Sequence, residues 1–136
     1  MADKLQLEMV TPYKKVLSTE VDELTAPGFM GELGILPGHT PLLTTLRVGE
    51  LSYKQAGSTY HVAVNWGYLE IEEDRATVLV DTAEEADEID LARAKAALGR
   101  AEEALHKLSA EDKEYKTMEA ALQRALIRIQ VASKGR

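Results

Sequence analysis

Three histidines are the side chains in this sequence best suited to bind a metal or to transfer a proton near neutral pH. His39, His61 and His106 lie far apart and form no H-x-H or H-x-x-x-H pattern. Such short spacings are what direct two side chains of one strand or helix to the same ion. The 136 residues include no cysteine, which excludes thiolate ligands and a cysteine nucleophile. We therefore predict no metal site.

The sequence also lacks the motifs that position a nucleophile or a phosphate. Two serines lie three residues from a histidine, Ser58 from His61 and Ser109 from His106, but neither pair stands in a G-x-S-x-G turn. The glycines of residues 31–38 do not match G-x-G-x-x-G, and no G-x-x-x-x-G-K-[ST] motif occurs. We therefore expect no catalytic residues and no enzyme activity, with a small hydrolase as a less favoured class.

Charge is distributed unevenly along the chain, whose formal net charge is -7. Residues 1–86 carry 14 acidic and 6 basic side chains, whereas residues 87–136 carry 9 and 10. An acidic body argues against nucleic acid as a partner, because phosphate binding needs clustered lysine and arginine. No stretch approaches the roughly 20 apolar residues that span a bilayer, and no apolar leader begins the chain. We therefore expect no direct membrane insertion and no signal peptide.

Apolar and polar residues alternate through the first 82 residues, with the period of a half-buried strand. Leu5, Leu7 and Met9 show this pattern first. Many short segments of this kind predict an antiparallel β-sandwich or flattened barrel, and no segment has the length of a crossover helix, so a parallel sheet is not expected. Further strands are predicted at Val16–Leu24, Leu51–Lys54, Thr59–Val64, Tyr68–Glu72 and Ala76–Val80, with turns at Pro27-Gly28, Pro37-Gly38, Ala56–Ser58 and Glu73-Asp74.

After residue 82 the apolar period changes to that of an amphipathic helix. Apolar residues recur at intervals of three and four from Leu91 to Leu108 and again from Tyr115 to Ala132. Two such stripes with a short link predict an antiparallel helical hairpin. The two apolar stripes form the seam between the helices, and a third of the seam positions are alanine. Alanine buries little apolar area, so we expect the hairpin to be only marginally stable without the sandwich or a partner. The chain therefore divides into a sandwich domain, residues 1–86, and a two-helix domain, residues 87–136.

The stretch Gly31–Thr44, GELGILPGHTPLLT, carries the most specific pattern in the chain. It closely resembles the G-x-x-G-x-L-P-x-H-x-P-L signature of the epsilon subunits of bacterial F-type rotary ATP synthases. Further family features lie in register at Val21–Leu24, Gly67–Glu70 and Val78–Asp81, and the resemblance covers the whole chain. It implies a β-sandwich followed by a helical hairpin, in a non-catalytic subunit of the central stalk.

The resemblance implies partners and a location. In this family one face of the sandwich binds the gamma subunit and its lower edge sits on the c-ring, so that the subunit rotates with both as protons or sodium ions flow. By carry-over, Glu32 and His39 are expected at the contact with the c-ring and gamma. A structural alternative for His39 is a bond to neighbouring backbone that holds the Pro37–Pro41 turn. The implied location is peripheral, on the cytoplasmic face of the bacterial inner membrane.

Regulation through the hairpin is implied as well. In the family the hairpin folds down on the sandwich or extends along gamma toward the catalytic alpha and beta subunits, where it inhibits ATP hydrolysis. A weak seam fits such a moving part. So does the basic end of the chain, which has no acidic residue from Ala120 onward.

A second motif, IDLARA at Ile89–Ala94, resembles the I/L-D-x-x-R-A motif at the nucleotide site of some bacterial members. Asp90 and Arg93 share one helix face, and Arg124 and Arg128 share another, so a closed hairpin would bring the two arginines to phosphate groups. The alternative is an exposed Asp90–Arg93 pair with two solubilising arginines. No cofactor is required, and ATP would be a regulatory signal. The expected ATP-binding residues are Ile89, Asp90, Arg93, Ala94, Arg124, Arg128 and Glu84.

A different class of function is open to the same architecture. The chain is then a free-standing sandwich that binds a small molecule or peptide, with the hairpin as a lid. That alternative predicts a well-folded monomer that does not require gamma.

Overall fold

The computed structural model describes residues 4–135. A β-sandwich is followed by a helical hairpin, which confirms the predicted fold class. The strands are β1 (Leu5–Val10), β2 (Lys15–Val21), β3 (Glu23–Gly28), β4 (Gly31–Ile35), β5 (Leu42–Leu46), β6 (Gly49–Gln55), β7 (Ser58–Glu72) and β8 (Arg75–Glu85). A short 3₁₀ turn, Ala86–Glu88, leads to the helices α1 (Leu91–Lys107) and α2 (Lys113–Ser133).

The core of the sandwich is formed by one face of each strand. The alternation predicted for β1 is confirmed, because Leu5, Leu7 and Met9 are fully buried and the residues between them are not. Apolar side chains from the other strands pack against them, and this cluster consists of residues up to Ala83 and contains no helix residue. The sandwich therefore has a hydrophobic core that does not depend on where the hairpin lies.

The strand pairs are antiparallel with one departure among the described residues. Strand β1 pairs with β8 in parallel, with Gln6–Val10 aligned to Arg75–Leu79. The expectation of a wholly antiparallel sheet rested on the absence of a crossover helix. That reasoning was incomplete, because the connection between β1 and β8 is made by the intervening strands of the sandwich itself.

Strand β7 joins the two layers of the sandwich and replaces two strands predicted separately. Its first half pairs with β6 and its second half with β5. At the junction Trp66 has φ 40° and is skipped in the register with β8. A Cβ on the next residue, Gly67, would lie 1.9 Å from the carbonyl oxygen of Leu79. Glycine is therefore required where β7 bends against β8.

The turn expected at Pro27-Gly28 lies two residues later in the chain, at Phe29 and Met30. Pro27 and Gly28 are instead the last two residues of strand β3. The carbonyl oxygen of Pro27 accepts a hydrogen bond from the backbone N–H of Arg47 at 3.0 Å. Proline is tolerated here because the ladder uses its acceptor and does not need a donor. Residues 31–35, for which no strand was predicted, form β4.

The helical hairpin packs with small residues at its centre. Its buried side chains are Ala94, Ala101, Ala125 and Val131, whereas the larger seam residue Leu98 is only half-buried. Helix α2 contacts β6, β7 and the 3₁₀ turn, so the hairpin is folded down on the sandwich. The apolar area closed within the hairpin is small, because alanine contributes one methyl group at each position.

Candidate functional site: the contact between hairpin and sandwich

Helix α2 is joined to strand β8 by an ion pair between Arg128 and Glu84. The guanidinium Nε lies 2.7 Å from Oε1 and Nη2 lies 3.2 Å from Oε2, so the contact is bidentate. The side chains are 27% and 36% exposed. Both residues were predicted from sequence to belong to one site, and the structure brings them together in the folded-down hairpin.

A cleft of about 490 Å³ opens beside this pair, between the hairpin and the sandwich. Arg124 and Arg128 from α2 line it with Glu84 from β8, so three of the predicted residues share one cavity. Asn65 of β7 also lines it, and its Oδ1 is buried with no hydrogen-bond partner among residues 4–135. A buried acceptor without a donor is unfavourable, so this oxygen is suited to an N–H or O–H group of a ligand or water.

The other four predicted residues lie at the start of α1 and do not line that cleft in the described structure. Asp90 is the N-cap of α1, and its Oδ1 accepts the backbone N–H of Arg93 at 3.1 Å. The side chain of Arg93 is exposed. Ile89 and Ala94 are buried in a small apolar cluster with Val131 and other residues at the joint between hairpin and sandwich. In this conformation the motif therefore caps and anchors α1.

Strand β6 supplies a second polar attachment, at Glu50. Its carboxylate accepts hydrogen bonds from Lys134 at 2.9 Å, from Gln130 at 3.0 Å and from Nδ1 of His61 at 2.9 Å. Burial acts to raise the pKa of Glu50, but the hydrogen bonds from Lys134, Gln130 and His61 outweigh it and lower the pKa. Glu50 is thus held ionised beside the end of α2.

The two residues predicted to contact partners lie in different surroundings. Glu32 is exposed on β4 and lines a second cleft of about 500 Å³ beneath α2. His39 follows in the turn after β4, where Nδ1 lies 2.6 Å from the carbonyl oxygen of Thr40. The backbone N–H of Gly38 donates to Asp74 at 2.6 Å and ties this turn to the β7–β8 hairpin. The geometry of His39 matches the structural alternative.

Sequence reasoning did not single out Glu50 or Asn65. Both stand in strands among alternating residues, and the sequence does not indicate which acidic or amide side chain will face α2. Lys134 belongs to the basic end of the chain, but nothing in the sequence pairs it with Glu50. The one available signal was the pairing of a basic helix end with an acidic sandwich.

Among residues 4–135, no group of three or more His, Cys, Asp or Glu side chains is arranged to hold a metal ion. None of the described helices is long and apolar enough to cross a membrane.

Two family models together match almost the whole chain. Residues 4–86 match the β-sandwich domain of the ATP synthase delta/epsilon chain, and residues 87–133 match its long α-helix domain. Among curated proteins, the ATP synthase epsilon chain of Geobacter sulfurreducens is 67% identical over 135 residues, covering 99% of this chain and 98% of the relative. The epsilon chain of Geobacter metallireducens is 68% identical with the same coverage.

Solved structures show the same fold at low sequence identity. A chain in the cryo-EM structure of the Euglena gracilis mitochondrial ATP synthase (OSCP/F1/c-ring) matches with TM-score 0.83 and 20% identity, covering 98% of this chain and 83% of that one. A chain of the Tetrahymena thermophila mitochondrial ATP synthase central stalk/c-ring matches with TM-score 0.59 and 16% identity, covering 96% and 95%. With the two domain models and the bacterial relatives, the chain belongs to the ATP synthase epsilon chain family.

Proposed function

We propose that this chain is a non-catalytic subunit of the central stalk of a rotary ATP synthase, and that its helical hairpin regulates ATP hydrolysis. Family membership supports the stalk role. The observation that carries the regulatory role is the attachment of the hairpin, which rests on small buried residues and on ion pairs at Glu84 and Glu50. A hairpin held in this way can leave the sandwich while the sandwich core, built from strand residues, stays intact.

The partners we assign are gamma, the c-ring and, in the extended state, the catalytic alpha and beta subunits. Trp66, Tyr68 and Leu79 form an exposed apolar group on the sandwich, with Tyr68 and Leu79 directly opposite each other on β7 and β8. Phe29 and Met30 form another at the β3–β4 turn, 62% and 93% exposed. Exposed apolar groups of this kind are suited to protein contacts.

We assign the first group to gamma, and the β3–β4 turn, with nearby Glu32, to the c-ring. The location we assign is peripheral, beside the c-ring at the cytoplasmic face of the bacterial membrane. The free-standing binding module is not favoured, since relatives covering the whole chain are ATP synthase subunits.

ATP is the regulatory ligand we assign to the cleft between hairpin and sandwich. Arg124 and Arg128 supply two guanidinium groups for phosphates, and Asn65 offers a buried acceptor to an N–H or O–H of the nucleotide. Arg128 is paired with Glu84 in the folded-down hairpin, so a phosphate group competes with that carboxylate for the guanidinium. ATP bound here biases the hairpin equilibrium only to the extent that it prefers one conformation.

The regulatory role is tested by ATP hydrolysis of the cognate catalytic complex, reconstituted with the full chain or with a chain ending at Glu88. We expect the truncated chain to assemble and the hydrolysis rate to rise. An unchanged rate with retained assembly would show that the hairpin does not inhibit. Failure of both versions to bind the complex would contradict the stalk role itself.

The ATP site is tested by titration calorimetry of the full chain with ATP. Arg124→Ala should weaken ATP binding at least tenfold, because a charge-assisted contact to phosphate is lost. Arg100→Ala is the matched control, since Arg100 is exposed on α1 and does not line the cleft. Equal effects of the two substitutions would place ATP elsewhere.

A further inference from the structure

Glu50 accepts hydrogen bonds from the sandwich and from the hairpin at the same time. His61 of β7 bonds to Oε2, Gln130 of α2 bonds to Oε1, and Lys134 lies 2.9 Å from both oxygens. The Glu50 side chain is only 15% exposed. Unlike the exposed ion pair of Lys107 with Glu103, this carboxylate is therefore largely fixed in one orientation.

Glu50 has one contact within the sandwich and two contacts with the hairpin. His61 and Glu50 belong to paired strands of the sandwich, so their contact persists when α2 leaves. Gln130 and Lys134 belong to the end of α2 and leave with it. His61 therefore acts as a positioning residue that keeps the carboxylate directed at the helix end. Little side-chain entropy of Glu50 is therefore lost each time the end of α2 returns to the sandwich and binds it.

Lys134 is well placed for this contact. It is the C-cap residue of α2, where the unpaired carbonyl groups of the helix favour a nearby cation. Glu50 thus binds the Lys134 ammonium group at the helix end and the side-chain amide of Gln130 one turn earlier. Because His61 already occupies part of the carboxylate, the helix has to supply only one amide and one ammonium group.

We infer that Glu50, positioned by His61, is a preset latch that captures the C-terminal turn of α2 and sets how much of the hairpin is folded down, independently of nucleotide. This inference rests on the proposed function, in which the hairpin leaves the sandwich. The Arg128–Glu84 pair lies in the cleft assigned to ATP, whereas Glu50 lines the second cleft on the other side of α2. Nucleotide therefore acts on one attachment and leaves the other unchanged.

The latch is tested in the full chain by fluorescence energy transfer between two labels. The chain has no cysteine, so Glu72→Cys on the sandwich and Ala110→Cys in the helical link can be labelled specifically. Both positions are exposed. We expect Glu50→Gln to raise the ratio of extended to folded-down hairpin about fivefold, since hydrogen bonds to a charged but partly exposed group are lost. The same factor is expected with and without saturating ATP.

Variants on the helix side keep the test independent of sandwich folding. Lys134→Ala removes an exposed side chain and should shift the ratio in the same direction as Glu50→Gln. The double variant should shift the ratio no further than the larger single effect, because the two substitutions remove the same interaction. Glu103→Gln is the matched control, a carboxylate-to-amide change in an exposed helical ion pair, and should change nothing.

The outcomes separate the latch from the proposed function. If ATP still shifts the energy transfer but Glu50→Gln and Lys134→Ala do not, the latch is overturned and the regulatory hairpin stands. Fully additive effects in the double variant would also overturn the latch. A hairpin that stays folded down in every variant, with hydrolysis unaffected by truncation at Glu88, would overturn both.

Discussion

Arg128 and Glu84 are 44 positions apart in the chain, yet their side chains meet in a two-point ion pair at 2.7 and 3.2 Å. The pair forms only when α2 lies on the sandwich. Arg128 is also a phosphate ligand in the proposed ATP site, so one side chain links nucleotide binding to hairpin position. This shared use is a physical route by which ATP can change the conformational equilibrium.

Replacing Arg128 should loosen the hairpin. We expect Arg128→Ala to weaken docking of α2 by about 1 kcal/mol, a value reduced for the partial exposure of the pair. Amide hydrogen exchange should accelerate about fivefold in α2 and stay unchanged in β1. Arg128→Lys keeps the positive charge but cannot make the two-point contact, so exchange in α2 should be intermediate between wild type and Arg128→Ala. Protection in α2 that is unaltered by either change would contradict a holding role for this pair.

Two glycines should respond oppositely to alanine. A Cβ at Gly67 would collide with the Leu79 carbonyl oxygen at 1.9 Å, so Gly67→Ala should cost about 3 kcal/mol or more of unfolding free energy. Gly99 lies in α1 with open space around it, so Gly99→Ala should stabilise the hairpin by up to about 1 kcal/mol. Urea denaturation followed by strand and helix signals measures both. Similar effects at the two sites would argue against a steric requirement at Gly67.

Docking of the hairpin should depend more on the buried end of α2 than on its exposed face. Val131 is fully buried in the cluster at the joint, whereas Leu126 is 48% exposed. Val131→Ala should weaken hairpin docking by about 2 kcal/mol, from two lost methyl groups and the cavity left behind. Limited proteolysis should then cleave the hairpin faster and leave the sandwich intact. Equal sensitivity in Leu126→Ala would show that the cluster does not anchor the helix.

Tyr53 should make the fold sensitive to alkali. Burial raises the pKa of its phenol, and the hydrogen bond to Glu85 at 3.0 Å raises it further. The folded state therefore keeps this proton when the unfolded chain, with an ordinary pKa of 10.0, releases it. The stability contribution is complete below pH 10 and is lost as the pH rises above it.

Comparison of wild type with Tyr53→Phe isolates this effect from the other tyrosines and the lysines. The urea midpoint of the wild type should fall more steeply than that of Tyr53→Phe between pH 9 and about 11. At neutral pH the variant should be weaker by about 1 kcal/mol, since a hydrogen bond is lost. Parallel curves across this pH range would mean that Tyr53 titrates alike in both states.

Local regularities made much of the fold predictable. The alternation of Leu5, Leu7 and Met9 indicated a strand with one buried face, and the seams from Leu91 and Tyr115 indicated two helices. Both patterns follow from side-chain direction along the backbone, which is a local property. The sequence did not predict that β7 continues through Trp66 as one strand. A bend within a strand and a break between two strands interrupt the alternation of apolar and polar residues in the same way.

The site was predictable only in part. Resemblance to a known family singled out Arg124, Arg128 and Glu84, which the structure places around one cleft, but it also grouped them with Asp90, which caps α1. Glu50 had no distinguishing neighbours in its strand. Its importance arises from His61 on the next strand and from Lys134, 84 positions further on.

By itself the sequence determined the strand and helix periods, the acidic body with its basic end, and the weak alanine seam, since each depends on residues near one another in the chain. Tertiary structure alone decided that β1 and β8 pair in parallel and which carboxylates meet the cations of α2. The chain offers 23 acidic residues, and periodicity treats those on solvent-facing positions alike. Only the position of α2 on the folded sandwich selects Glu50 and Glu84, because an ion pair needs both charges at one place in space.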